Sequence, residues 1–146
     1  MGCPPDPGGD PNGPIVRVVF PQAGGAVIDA ELVSSRRDLE RGLMYRTSLP
    51  EDQGMLFDLG VTGNYGVWMH NTCIPLDLIF ADADGWIVGI VENAPPLDDT
   101  MRGVDRPWRY LLEVNAGWSR QHGVKAGQPM TIPASTRPTP SRARGE

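Results

Sequence analysis

The sequence predicts an α+β fold rich in strand: a curved, mainly antiparallel sheet or small barrel with one principal helix packed on it. Three observations carry this. From Met55 onward, short apolar runs alternate with strong breakers, the pattern of successive short strands. Only one substantial stretch, residues 36–46, has helical rather than strand spacing. No strand–helix–strand alternation runs through the chain, which disfavours a doubly wound parallel sheet.

The 146 residues suit one domain, expected over residues 15–132. IVRVVF (15–20) is β-branched and short, hence a strand. AVIDAELV (26–33) alternates, with Ile28, Ala30 and Leu32 on one face. Ser35-Arg36-Arg37-Asp38 reads as a capping box. The helix from Arg36 to Arg46 then turns Leu39, Leu43 and Met44 to one side. Ser48 to Gly54 reads as a turn or a single helical turn. Further strands are expected at 55–59, 65–69, 76–81, 86–93, 108–114 and 129–132. Asp82-Ala83-Asp84-Gly85 joins two of them as a tight hairpin. It begins like a calcium loop but lacks the later acidic ligands. Residues 94–107 read as a long irregular loop, a kind that often carries function. Trp118 to His122 makes a short helix stopped by Gly123.

The two ends lack periodicity. Residues 1–14, MGCPPDPGGDPNGP, read as a disordered Pro/Gly linker, and 133–146 as a disordered tail. Gly2-Cys3 resembles the end of a lipobox. A lipidated Cys3 followed by such a tether would hold an exported domain off a membrane; the plainer reading is a cytoplasmic protein with an incidental cysteine. A Cys3–Cys73 bridge is disfavoured, because Cys3 sits in a segment expected to hold no fixed position. No apolar run approaches the ~18 residues of a membrane-spanning helix.

Net charge is −5, and the basic excess is confined to the last residues. This argues against a nucleic-acid footprint. The dinucleotide, phosphate-loop, nucleophile-elbow, CxxC and HExxH signatures are absent. Two histidines cannot build a three-histidine zinc site. No metal or cofactor is expected.

The densest segment chemically is Trp68-Met69-His70-Asn71-Thr72-Cys73-Ile74-Pro75-Leu76-Asp77. His70, Cys73 and Asp77 have the types for a metal or a Cys–His pair, but nothing in their spacing demands either. Asn71 and Thr72 are also ordinary turn residues. Asp77 lies inside an apolar run, sharing a face with Ile79 and Ala81, and Glu113 lies in the same way within its own strand. Facing one cavity, the two carboxylates would make an acid–base pair. Otherwise each is braced by an arginine, Arg41, Arg46 or Arg109. Trp68, Trp86, Trp108 and Trp118 either line a ring-binding cleft or pack the core, with one or two near the surface.

Five ordered blocks resemble the domain-of-unknown-function family numbered 192: Arg41-Gly42-Leu43-Met44-Tyr45-Arg46, Gly54-Met55-Leu56-Phe57, Trp68-Met69-His70-Asn71-Thr72, Pro75-Leu76-Asp77-Leu78-Ile79-Phe80 and Leu112-Glu113-Val114-Asn115-Ala116-Gly117. The resemblance implies a compact β-rich fold with a flanking helix. Members are small bacterial and archaeal proteins, many exported. It points to Arg46, Trp68, Asn71, Thr72, Asp77 and Glu113 as site residues and away from His70 and Cys73, which the family pattern does not require. It implies no reaction. The leading expectation is an exported or lipid-anchored domain binding a small polar ligand or a protein partner through Trp68–Asp77. One alternative is a small hydrolase- or isomerase-like enzyme using Asp77 and Glu113, with Arg46 holding an anion. The other is a purely structural role.

Overall fold

The computed structural model describes residues 2–133; the expected 133–146 tail lies almost wholly outside them. The elements run β1 (Ile15–Phe20), β2 (Ala26–Val33), α1 (Arg36–Arg41), β3 (Gln53–Gly63), β4 (Val67–Met69), β5 (Leu76–Ala81), β6 (Ile87–Ala94), β7 (Asp98–Arg102), β8 (Trp108–Asn115) and α2 (Trp118–His122). Six of the strands form one sheet in the order β1-β2-β3-β8-β5-β6. β2 and β3 are parallel, joined across α1; the other pairings are antiparallel. A second sheet is the two-stranded ribbon β4–β7.

Alternation along the strands sends side chains to two buried clusters. Ile28, Ala30, Leu56, Ile79, Leu112 and Val114 enter the first, with residues of β1 and Ile87 of β6. Strands from both edges of the sheet meet in this one cluster, so the sheet curls around it. Met55, Phe57, Leu78, Phe80 and Leu111 enter the second, under Leu43 and beside Leu39 of α1. β5 is buried along its whole length, because it is covered on both faces.

The sheet stays open rather than closing as a barrel. Residues 129–132, expected as a strand, make only isolated bridges: Thr131 to Val19 of β1 and Pro129 to Trp86 beside β6. Pro129 has no N–H to give a ladder. α1 is shorter than expected, ending at Arg41 because Gly42 leaves the helix at φ +51°. The expected 94–107 loop contains β7, whose polar sequence Asp98-Asp99-Thr100-Met101-Arg102 gives no strand signal. β3 starts within the expected 48–54 turn, at Gln53. Among the described residues, no helix is long and apolar enough to cross a membrane.

Residues 2–14 form no helix or strand, as their composition requires. Against expectation, however, Cys3 and Cys73 form a disulfide, with Cα atoms 5.4 Å apart. Salt bridges from Asp6 and Asp10 help fix the segment onto the domain.

Candidate functional site

A cavity of about 270 Å³ opens on the second face of the sheet, between α1 and the β4–β7 ribbon. Leu39 and Leu43 form one wall; Phe57 and Leu111 form the floor. The ribbon and the residues before it supply Tyr65, Trp68 and Met101. Trp108 closes one side, held edge-on by Tyr65 (5.6 Å between ring centres) and Phe80 (4.9 Å). Its Nε1–H donates to the Tyr65 carbonyl at 3.2 Å. The wall is thus apolar and aromatic, the usual make-up of a small-molecule pocket.

Glu40, Arg41 and Thr72 also border the cavity, and Glu113 is a buried carboxyl group within it. β8 alternation places Leu112 and Val114 in the first cluster and Glu113 on the opposite face, lining the cavity. Its cross-strand neighbours in the sheet are Met55 on β3 and Leu78 on β5, both fully buried. Glu113 is 6% exposed. Among the described residues, no hydrogen bond or ion pair reaches its carboxyl group, and burial is what acts on it. Burial without compensation pushes its pKa from 4.5 up to about 8. The group is therefore mostly protonated at neutral pH and can donate or accept a hydrogen bond there.

Trp68 stands at the mouth, 45% exposed and stacked on His70 with ring centres 4.6 Å apart. Thr72 lines the wall, and its hydroxyl donates to the His70 carbonyl at 3.2 Å. The structure therefore brings Trp68, Thr72 and Glu113 together around one cavity.

The other three expected site residues lie elsewhere. Asn71 sits in the left-handed region at φ +53°, which asparagine tolerates better than most residues. Its side chain donates to the Tyr45 hydroxyl at 2.9 Å, and its carbonyl accepts from the Tyr45 N–H at 2.8 Å. It is a clip between two turns. Arg46 bonds Glu31 and Asp10, each at 3.0 Å. Burial opposes its charge, but those two carboxylates outweigh it and raise its pKa.

Asp77 faces the first cluster, with Ile79 and Ala81 as expected, and so points away from Glu113. Its carboxylate accepts from the backbone N–H groups of Asn93 (2.9 Å), Gly117 (3.2 Å) and Ser119 (3.0 Å). It ties β6 and the start of α2 to β5. The expected acid–base pair is therefore not formed, since the sheet separates its two members. Nor does either carboxylate pair with an arginine. Arg109 bonds Asp58 at 3.0 Å, and Arg41 bonds Asp6. His70 bonds Asp99 at 2.8 Å, Cys73 is in the disulfide, and Asp77 is buried, so these three do not converge.

Sequence reasoning missed Tyr65 and Met101 as pocket residues and left Trp108 between cleft and core; it both lines the cavity and is buried. Only the length of the 94–107 segment hinted that it borders a site.

Two solved structures are similar to this chain. One, from Sinorhizobium meliloti 1021, is described as a candidate transcription regulator: 37% identity, TM-score 0.79, covering 85% of this chain and 98% of the other. The second, from Novosphingobium aromaticivorans DSM 12444, is a protein of unknown function: 36% identity, TM-score 0.77, covering 80% of this chain and 84% of the other. No curated protein matches. The DUF192 family profile, described as uncharacterized ACR, matches residues 18–132, nearly the whole folded part; this chain belongs to that family.

Proposed function

We propose that the chain is a ligand-binding domain whose cavity takes a small molecule with an apolar body and one amine that meets Glu113. The observation that carries this is Glu113 itself: a buried carboxyl group, with no partner among the described residues, lining a cavity between aliphatic and aromatic side chains that Glu40, Arg41 and Thr72 also border. Leaving such a group unsatisfied costs free energy that a complementary donor recovers. An ammonium group is the best complement, since it converts the neutral acid into one half of an ion pair. Tyr65 and Trp68 offer ring faces that suit the same cation. The enzyme alternative loses its second carboxylate to the far face of the sheet. A nucleic-acid role, which the name of the Sinorhizobium relative invites, is disfavoured by the net charge of −5.

We place the protein in an oxidising, extracytoplasmic compartment. The disulfide supports this. It also occupies the sulfur that a lipid anchor on Cys3 would need, which favours export without that anchor. Recovery of the intact disulfide from cells lysed in an alkylating agent is expected; free Cys3 and Cys73 thiols would overturn the placement.

The binding test uses benzylamine, benzyl alcohol and benzoate as probes, read by calorimetry at pH 8. Benzylamine is expected to bind tightest, and Glu113→Gln to weaken it by roughly 10–100-fold while leaving benzyl alcohol little changed. Equal binding of all three, or a preference for benzoate, would overturn the reading.

A further inference from the structure

A second polar constellation adjoins the cavity, sharing Arg41 with its lining, where residues 6–11 cross three arginines. Arg37 donates to the Gly9 carbonyl at 2.8 Å. Arg41 donates to the Gly8 carbonyl at 2.6 Å and to the Asp6 carboxylate at 3.1 Å, and lies 3.5 Å from Asp10. Arg46 donates to Asp10 at 3.0 Å and to the Pro11 carbonyl at 3.2 Å. The three guanidinium groups thus read a Pro/Gly/Asp peptide that turns at Gly8 and Gly9, both at positive φ, by two carboxylates and by carbonyls between and beside them. This is the geometry for which arginine is suited and lysine is not.

Two features say that the site is built rather than incidental. The Arg41 side chain is only 9% exposed, and its Nε is buried with no partner among the described residues. A guanidinium is held there with donor capacity the segment does not use. The segment in turn has little structure of its own. Among its hydrogen bonds within residues 2–12, one joins the Gly8 N–H to Asp6. That bond and the neighbouring Arg41 hold the Asp6 pKa below its ordinary value. Exposed ion pairs are individually weak, so they do not by themselves keep such a strap in place. Its covalent anchor is the Cys3–Cys73 disulfide at one end, while at the other Gly13 donates to Glu31 at 2.8 Å and Pro14 accepts from Leu32.

We propose that Arg37, Arg41 and Arg46 form a docking site for an acidic, glycine-containing segment of a partner protein that turns as residues 6–11 do, and that residues 6–11 occupy it in cis until a dithiol reductant cleaves Cys3–Cys73. Cleavage transfers two electrons and two protons. The dithiol becomes a disulfide, and Cys3 and Cys73 become thiols. The strap is then held at one end only, its effective concentration falls, and a segment offered in trans competes.

The test is fluorescence anisotropy with a labelled peptide PPDPGGDPN and its control PPNPGGNPN. The proteins are the full oxidised chain, Cys3→Ser, and Cys3→Ser/Asp6→Asn/Asp10→Asn. The last both releases the strap and removes its carboxylates. The acidic peptide is expected to bind the triple variant at least ~10-fold more tightly than the oxidised chain, with Cys3→Ser between them. Adding Arg41→Gln to the triple variant is expected to abolish binding, as is 0.5 M salt. No binding to the triple variant, equal binding to the oxidised chain, or equal binding of the Asn control would overturn the proposal. Dimerisation of the reduced wild-type chain on a sizing column would overturn the assignment to a partner protein and give the site to a second copy.

Discussion

Glu113 and Asp77 show how two carboxylates, each set within an apolar strand, come to opposite ends. Asp77 meets three backbone N–H groups and is satisfied as an anion. Glu113 meets none from the described residues, and burial raises its pKa to about 8. The consequence for stability has a definite sign. Between pH 4.5 and 8 the folded chain keeps a proton on Glu113 that the unfolded chain has released. Stability from this group therefore falls as pH rises through that window and levels off above it. At pH 7 the loss relative to pH 4 is about 3 kcal/mol. Glu113→Gln should abolish this slope, measured as urea unfolding free energy at pH 4, 7 and 9; an unchanged slope would show that the carboxyl is not the group responsible. Asp77→Asn should act differently. Its new NH₂ faces a backbone N–H, so we expect a loss of about 2–4 kcal/mol, with benzylamine binding unchanged. Neither fate was legible in the sequence. Periodicity gave each residue its side of a strand. Which side held amides and which held a cavity depends on α2 and on the β4–β7 ribbon, elements distant in the chain.

At the scale of elements, α1 and the ribbon decide where the cavity lies. The spacing of Leu39, Leu43 and Met44 is helical, so the reading of a helix to Arg46 followed the pattern correctly and missed the breaker inside it. Gly42 takes φ +51°, and a Cβ there would stand 3.0 Å from the Phe57 ring. Gly42→Ala should therefore cost about 1–3 kcal/mol, through backbone strain and displacement of Phe57 from the cavity floor. Thermal unfolding gives the first effect, and weakened benzylamine binding the second. The ribbon was legible only by halves. β4 shows in Val67-Trp68-Met69, but β7 is an acidic stretch that pairs because Val67 and Met69 present a partner edge. Strand preference in such a ribbon belongs to the pair, not to one sequence.

For the whole molecule, composition read residues 1–14 as a disordered linker and so made a Cys3–Cys73 bridge improbable; the bridge forms, and residues 2–14, without helix or strand, lie tied to the domain. Conformational preference says how a segment behaves alone; three arginines and a thiol supplied by the folded domain change the balance. The bridge spans a sequence separation of 70 residues, and closing a loop of that size removes unfolded-state entropy worth about 4 kcal/mol in the chain-entropy account. Cys3→Ser/Cys73→Ser should therefore shift the urea midpoint down by roughly 2 M, and wild-type protein treated with a dithiol should follow the same curve. The size of this loss matters for the docking site. Single domains are stable by about 5–15 kcal/mol, so removing about 4 leaves the two buried clusters folded around the sheet. Reduction then frees the strap without unfolding the surface beneath it. Retained near-ultraviolet dichroism from buried Trp108 and Trp118 in the reduced protein is the expected sign. Its collapse would mean that the disulfide holds the fold itself, and that no reduced, folded state exists for a partner to find.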